Sequence, residues 1–127
     1  METLRPSKIR LVIMADYCCY CWVGAKGEGT DLDNEFPEIS GIDDLQAAFS
    51  AWNWKFEQHD PDDDGRVYAV DWESFHKEGI ALCQRLKRLV GEAAEIYYWP
   101  PFEDVNGDSL GRIHIAADHY SKVKEFI

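Results

Sequence analysis

Apolar residues at alternate positions mark the first element of the chain. They are Ile9, Leu11 and Ile13. A period of two is typical of a β-strand, and we predict one from Lys8 to Tyr17. Val12 and Met14 fall on the opposite face, so the second half of this strand is expected to be covered on both sides, as a central strand is.

A helical period replaces this alternation near residue 43. The apolar residues that follow it are Leu45, Ala48, Phe49, Trp52 and Phe56. Their spacing of three and four predicts an amphipathic helix from Asp43 to Gln58. Asp43 is the expected N-cap, and Gln46, three residues later, would complete a capping box.

A second helix is predicted from Asp71 to Gly91. Its apolar face contains Trp72, Phe75, Gly79, Leu82, Leu86 and Leu89. Asp71 is a suitable N-cap and Gly91 a suitable residue just after the helix. His76 lies near the apolar face, where we interpret it as a hydrogen-bonded core residue rather than a catalytic group.

The remaining elements are shorter. We predict a long ordered loop from Cys18 to Gly41, a strand from Glu95 to Trp99 beside the first strand, and a strand from Arg112 to Ile115. The expected anchors of the long loop are Trp22, Leu32, Phe36 and Ile39. Residues Tyr120, Val123 and Phe126, each three apart, predict a short terminal helix. This order favours an α/β fold, with α+β as the alternative: one domain over residues 1–127, with a small central sheet packed by two long helices.

Composition places the chain among globular proteins. Of its 127 residues 46% are hydrophobic, and no run of about 18 apolar residues predicts a membrane span. The N-terminal segment lacks the features of a signal peptide, so we expect a cytoplasmic protein. The four cysteines, Cys18, Cys19, Cys21 and Cys83, lack zinc-site spacing and are predicted to be reduced and partly buried.

Negative charge is concentrated in one third of the chain. The net charge is −11. Between Glu28 and Glu73 fourteen carboxylates face two bases, Lys55 and Arg66, a net of −12, whereas the rest of the chain is close to neutral. Such a segment argues against nucleic acid as a partner and favours a basic protein. A solvated, solubilising surface is the alternative.

One acidic stretch, HDPDDDGRVYAVDWE, approaches a calcium-binding loop. The weak candidate ligands are Asp60, Asp62, Asp64 and Asp71. An EF-hand needs a bidentate carboxylate at its twelfth position, where Asp71 is one methylene shorter than the usual Glu. A second, pairing loop is missing. The competing interpretation is a connection between helices in which Asp60 and Pro61 end the first helix and Asp71 caps the second.

Catalytic patterns are weak. The four histidines show no metal-binding pairs. Asp16 follows the first strand at a position where functional carboxylates occur, but no second carboxylate or nucleophile can be placed beside it from the sequence. A cysteine nucleophile with His114 as base is conceivable, though no spacing fixes their geometry. We therefore predict no enzymatic activity and no cofactor.

The sequence also resembles a known family. The segments that carry the resemblance are ADYCCYCW and DWESFHKEGIALCQRLKRLVGEAAEIYYWPPFED. They are similar to the immunity proteins of bacterial polymorphic toxin and contact-dependent growth inhibition systems. The helical part of the resemblance consists of Phe75, Glu78, Gly79, Leu82 and Leu86, and Asp60, Pro61 and Gly65 match a turn that links two helices in such proteins.

The resemblance implies a protein that binds and neutralises one cognate toxin domain, commonly a nuclease. An acidic surface would suit the basic cleft of such an enzyme. The candidate contact residues are aromatic side chains and carboxylates: Tyr20, Trp22, Glu28, Asp31, Asp33, Glu35, Trp54, Asp60, Asp62, Asp63, Asp64 and Tyr68.

Overall fold

The computed structural model describes residues 9–17, 19–23, 27–58, 71–101, 104 and 110–123. Within these residues the strands are β1 Ile9–Ile13, β2 Cys21–Val23, β3 Glu28–Thr30, β4 Ala94–Tyr98, β5 Ile113–Ile115 and β6 Tyr120–Lys122. The helices are α1 Leu32–Glu35, α2 Ile42–Glu57 and α3 Trp72–Val90, and a single 3-10 turn, Gly91–Ala93, leads from α3 into β4.

The six described strands form one mixed sheet in the order β3-β2-β1-β4-β5-β6. β1 and β4 lie side by side and parallel, with Leu11 opposite Ile96, which is the pairing predicted from the sequence. The other described neighbours are antiparallel. The connection between β1 and β4 carries α2 and α3, as parallel strands require a long crossover.

Both long helices pack on the same face of the sheet. Tyr98 of β4 lies 6.0 Å from the Trp52 ring of α2 and 5.6 Å from the His76 ring of α3, measured between centroids. The predicted apolar stripe of α2 is confirmed, since Leu45, Phe49, Trp52 and Phe56 are fully buried. These contacts confirm the predicted α/β fold with two long helices on a small sheet.

The ends of α3 match the prediction. Asp71 is the N-cap, and its Oδ1 accepts a hydrogen bond from the Ser74 backbone N–H at 3.2 Å. Gly91 follows the helix with φ of 55°, a left-handed backbone that glycine adopts without strain. Leu89 is the exception on the predicted apolar face, because 39% of it is exposed.

The N-cap predicted for α2 is wrong. The helix begins at Ile42, and Gly41, with φ of 90°, takes the cap position with no side-chain hydrogen bond. Asp43 therefore lies inside the first turn, where the helix dipole favours a carboxylate. Gln46 does not complete a capping box with it but accepts a hydrogen bond from the Asp33 backbone N–H at 3.0 Å.

The prediction of a long loop from Cys18 to Gly41 is also wrong in part. This stretch contains β2, β3 and the single-turn helix α1. Strands of three residues are too short to show a period of two, and the turn between them includes Gly27 with φ of 66°. The residues predicted to anchor this stretch do pack inward: Leu32 and Phe36 are buried, and Ile39 and Trp22 are half-buried.

The predicted terminal helix is wrong. Residues Tyr120–Lys122 form β6, antiparallel to β5, and the Val123 backbone N–H donates to the Arg112 carbonyl at 2.8 Å. Three apolar residues spaced by three span too few turns to distinguish a helix from an edge strand, and Phe126 lies outside the described residues.

Among the described residues, none of the helices has the length and apolar character needed to span a membrane.

Candidate functional site

The outer side of α2 carries a row of exposed side chains opposite its apolar stripe. The row consists of Asp43, Ala47, Ser50 and Trp54, all exposed, with the spacing of one helix face. Trp54 is 59% exposed. Trp52, only two residues earlier, is fully buried, and its Nε1 donates to the Phe75 carbonyl at 2.9 Å. The helix thus has one tryptophan in the core and one in solvent.

The C-terminal half of α2 is fixed against the end of β1. Asn53 is buried, its Nδ2 donates to the Asp16 carbonyl at 3.0 Å, and its Oδ1 accepts from the Asp16 N–H at 3.3 Å. The ring of Tyr17 lies 4.9 Å from that of Phe56. The Asp16 carboxylate accepts a hydrogen bond from the Tyr17 N–H at 2.7 Å. These contacts hold the backbone beneath Trp54 in place.

Six exposed carboxylates lie on β3, α1, the turn after α1 and the first turn of α2, and we call this group the acidic edge. Its members are Glu28, Asp31, Asp33, Glu38, Asp43 and Asp44. The bond from Asp33 to Gln46 ties α1 to α2, and Asp33 lies near Asp43 and Asp44 in one cleft and beside Asp31 in a second. Glu35 is half-buried instead, and its Oε2 accepts from the Thr30 hydroxyl at 2.7 Å.

An open cleft of about 440 Å³ lies within the acidic edge, between α1 and the start of α2. Its lining includes the carboxylates Asp33, Asp43 and Asp44 together with apolar Phe36, Ile39 and Ile42. A long basic side chain fits this chemistry, since its methylene stem is apolar and its end is cationic. Between residues 27 and 58 the one base is Lys55, whose Nζ lies 2.7 Å from Glu78 Oε1.

The four aromatic candidates lie in different places. Trp54 is exposed on α2, whereas Tyr20 is only 6% exposed and its ring stacks on Phe49 at 5.2 Å, so Tyr20 belongs to the core. Trp22 is paired with Val12 on the sheet face that points away from the helices. The sheet therefore separates Trp22 from Trp54. Tyr68, like Asp60, Asp62, Asp63 and Asp64, lies outside the described residues.

Trp22 lines an apolar cavity of about 210 Å³ on that opposite face. The other lining residues are Val12, Met14, Gly27 and Trp99. The Trp22 Nε1 donates to the Met14 carbonyl at 3.0 Å, and the Arg112 guanidinium lies 4.0 Å from the centre of the Trp99 ring. Trp22 is therefore part of the packing of this face.

His76 takes the core position predicted for it. Its Nδ1 lies 2.6 Å from the Tyr98 hydroxyl and its Nε2 lies 2.7 Å from Asp104 Oδ2. All three residues are buried. Burial, the largest cause, raises the pKa of Tyr98 well above its usual value. The partner Asp104 was not foreseen, because 28 residues of sequence separate it from His76.

The described cysteines form no disulfide, and Cys21 and Cys83 are buried. Burial raises the pKa of the Cys21 thiol to about 12, with a smaller contribution from the nearby Glu35 carboxylate. Within the described residues no group of three or more His, Cys, Asp or Glu side chains is placed to hold a metal ion. Asp71 has the capping role given above, while the other candidate calcium ligands lie outside the described residues.

A protein-family model described as Serratia CdiI immunity protein-like matches residues 8–101. The chain belongs to this family. The match runs from β1 through α2 and α3 to the end of β4, and it confirms the resemblance found in the sequence. No curated protein and no solved structure matches the chain.

Membership of the CdiI immunity family suggests toxin neutralisation and implies a cognate toxin protein as the partner. It also implies an inhibitor rather than an enzyme. The function of such a protein resides in a surface that binds another protein. On this chain the outer face of α2 carries the exposed Trp54, and the acidic edge carries six exposed carboxylates. The sequence candidates omitted Asp43, Asp44 and Ala47, although the row of residues opposite the apolar stripe was readable from the helical period.

Proposed function

We propose that the protein neutralises a basic toxin domain, of the nuclease type, by placing the acidic edge against the toxin's cationic surface. The observation that carries the proposal is the grouping of Asp33, Asp43 and Asp44 around one cleft, with Asp31 beside Asp33 in a neighbouring pocket. This cleft lies between α1 and the start of α2.

A nuclease must bind phosphate, so its active site and the surface around it are basic. Carboxylates on a rigid partner can occupy such a surface and compete with the nucleic acid. Complementary charge also accelerates the encounter, which favours an inhibitor that must capture its toxin quickly. The proposal places the protein in the cytoplasm, with the toxin as its partner and with neither nucleic acid nor membrane bound by its acidic edge.

An acidic edge has a second possible use. β3 is an edge strand of the sheet, and charged residues near an edge strand oppose pairing with other chains. A merely solubilising role predicts that these carboxylates can be exchanged without any effect on toxin binding. The proposed role predicts a specific loss, so the two can be separated.

The test is the rate at which the purified protein associates with the toxin domain encoded beside it, measured by stopped flow at low and at high salt. We expect fast association that slows steeply as salt rises. The double variant Asp31→Asn/Asp33→Asn should associate more slowly and lose part of this salt dependence.

The control is Glu92→Gln/Asp118→Asn, which removes two exposed carboxylates from the parts of the chain between α3 and β4 and between β5 and β6. It changes the net charge by the same amount and should associate like the wild type. If both double variants slowed association equally, the slowing would be explained by net charge alone and not by the position of the acidic edge. An unchanged rate in Asp31→Asn/Asp33→Asn would overturn the proposed role of the acidic edge.

A further inference from the structure

We propose that the outer face of α2 is the docking surface for the toxin, with Trp54 as its anchor and the acidic edge at its N-terminal end. The assignment rests on the proposed function and specifies where on the molecule the partner binds. It is carried by the exposure of Trp54, by the small side chains beside it and by the sign of the surrounding charge.

Trp54 has the properties of a binding anchor. It is 59% exposed, whereas the core position in this part of α2 is filled by Trp52. The backbone beneath it is held by the bonds between Asn53 and Asp16. Tryptophan is enriched among residues that dominate binding energy, and a rigid support reduces the entropy lost on association.

The side chains next to Trp54 leave room for a partner. Between Asp44 and Trp54 the exposed positions of α2 are Ala47, Ser50 and Ala51, all of them small. A protein surface can therefore approach the helix closely and reach the side of the indole ring. Asp43 begins the same row eleven residues before Trp54, about 16 Å away along the helix.

The charge around this row defines the partner's chemistry. The acidic edge lies at one end, Glu57 follows Trp54, and Lys55 is paired with Glu78. The surface therefore suits a toxin that presents one Arg or Lys over the face of Trp54 and a second into the cleft lined by Asp33, Asp43 and Asp44. A cation is attracted to the face of an indole ring, and tryptophan is the strongest partner for it.

Two variants of α2 test the assignment. Trp54→Ala removes the anchor, and Ala47→Arg places a long cation in the row of small residues while keeping a good helix former. The ligand is the purified toxin domain encoded beside this chain, and the readout is its dissociation constant by calorimetry. Each variant is expected to weaken binding about thirtyfold or more.

Matched controls lie on β6, the edge strand at the other end of the sheet. Tyr120→Ala removes an aromatic side chain that is 51% exposed, and Ser121→Arg adds the same cation at an exposed position. Both should bind like the wild type, and circular dichroism should show all four variants folded.

The outcomes separate the docking surface from the function. If the wild type binds the toxin, and the α2 variants lose this binding while the β6 variants keep it, the assignment is supported. If the wild type and both α2 variants bind equally well, the proposed docking surface is wrong, but toxin neutralisation is not contradicted. Absence of wild-type binding overturns the proposed function itself.

Discussion

The Nδ1 atom of the His76 imidazole lies 2.6 Å from the Tyr98 hydroxyl oxygen, in the buried interface between α3 and β4. Its second nitrogen lies 2.7 Å from the Asp104 carboxylate. A neutral imidazole donates from one ring nitrogen and accepts at the other, so His76 can bridge the Tyr98 hydroxyl and the Asp104 carboxyl group. The three side chains connect α3 and β4 with the segment that follows β4.

Removing the hydroxyl in Tyr98→Phe should destabilise the fold. The buried Nδ1 of His76 would lose its hydrogen-bond partner, which costs about 1–3 kcal/mol in the free energy of unfolding. Urea denaturation followed by circular dichroism measures this loss. A stability equal to that of the wild type would show that the Tyr98–His76 bond does not contribute to the fold.

Asp104→Ala tests the other end of this network. It should also destabilise the fold, by a similar amount, because it removes the hydrogen-bond partner of the buried His76 Nε2. The matched control is Asp118→Ala, since the Asp118 carboxyl group also lies 2.7 Å from a histidine nitrogen, Nδ1 of His119, but both residues are exposed. The control should leave the urea midpoint unchanged. Equal effects of the two substitutions would contradict the role given to burial.

Gly79 is required by the packing of α3. A Cβ atom at this position would lie 2.7 Å from the rings of both Trp52 and Tyr98. Gly79→Ala should therefore destabilise the protein by about 1–3 kcal/mol through overpacking, although alanine is the better helix former. Ala81→Gly, at an exposed position of the same helix, should cost about 1 kcal/mol. If Gly79→Ala stabilised the protein, the close approach of α2 to α3 at this point would be wrong.

The buried thiols should respond slowly to alkylation. Cys21 and Cys83 are buried and their thiol pKa values are raised chiefly by that burial, so little reactive thiolate exists at neutral pH. Cys19 is half-buried and should react first among the three. Mass spectrometry after timed treatment with iodoacetamide measures the order. Modification of Cys21 as fast as in the urea-unfolded chain would contradict its position in the core.

The raised pKa values of these buried thiols should make the folded protein less stable at alkaline pH. Below pH 9 the Cys21 thiol is protonated in both the folded and the unfolded chain, because its ordinary pKa is 9.0 and the folded pKa is about 12. Between these values the unfolded chain loses the proton first, so stability falls as the pH rises, by up to about 1.4 kcal/mol per pH unit for Cys21. Urea titrations from pH 8 to pH 11 should show this decline, and a Cys21→Ala variant should show a shallower one.

The parts of the fold that the sequence revealed are those with several turns or several alternations. α3 shows five turns of apolar spacing and two clear ends, and the parallel pair β1 and β4 consists of two strongly apolar strands. β2, β3 and β6 each have three residues, which is too little for a period, and their pairing partners decide their structure. Only part of the His76 network could be predicted from the sequence. The burial of His76 follows from its position on the apolar face of α3, whereas its contact with Asp104 depends on the tertiary fold.

The candidate site, too, could be predicted only in part from the sequence. The acidic character of residues 28–73 is a property of composition and needed no structure. The exposure of Trp54 follows from its place opposite the apolar stripe of α2, whereas the burial of Tyr20 and the half-burial of Trp22 could not be read from the aperiodic stretch CCYCW. Tertiary packing places Tyr20 against Phe49 and leaves Trp54 in solvent.

The central claim is that this protein binds a toxin domain and stops its activity. The most direct measurement is a titration of the purified toxin domain encoded beside it, with nucleic acid cleavage as the readout. We expect cleavage to fall to the background level at one protein molecule per toxin molecule. Undiminished cleavage in the presence of excess folded protein would contradict the claim.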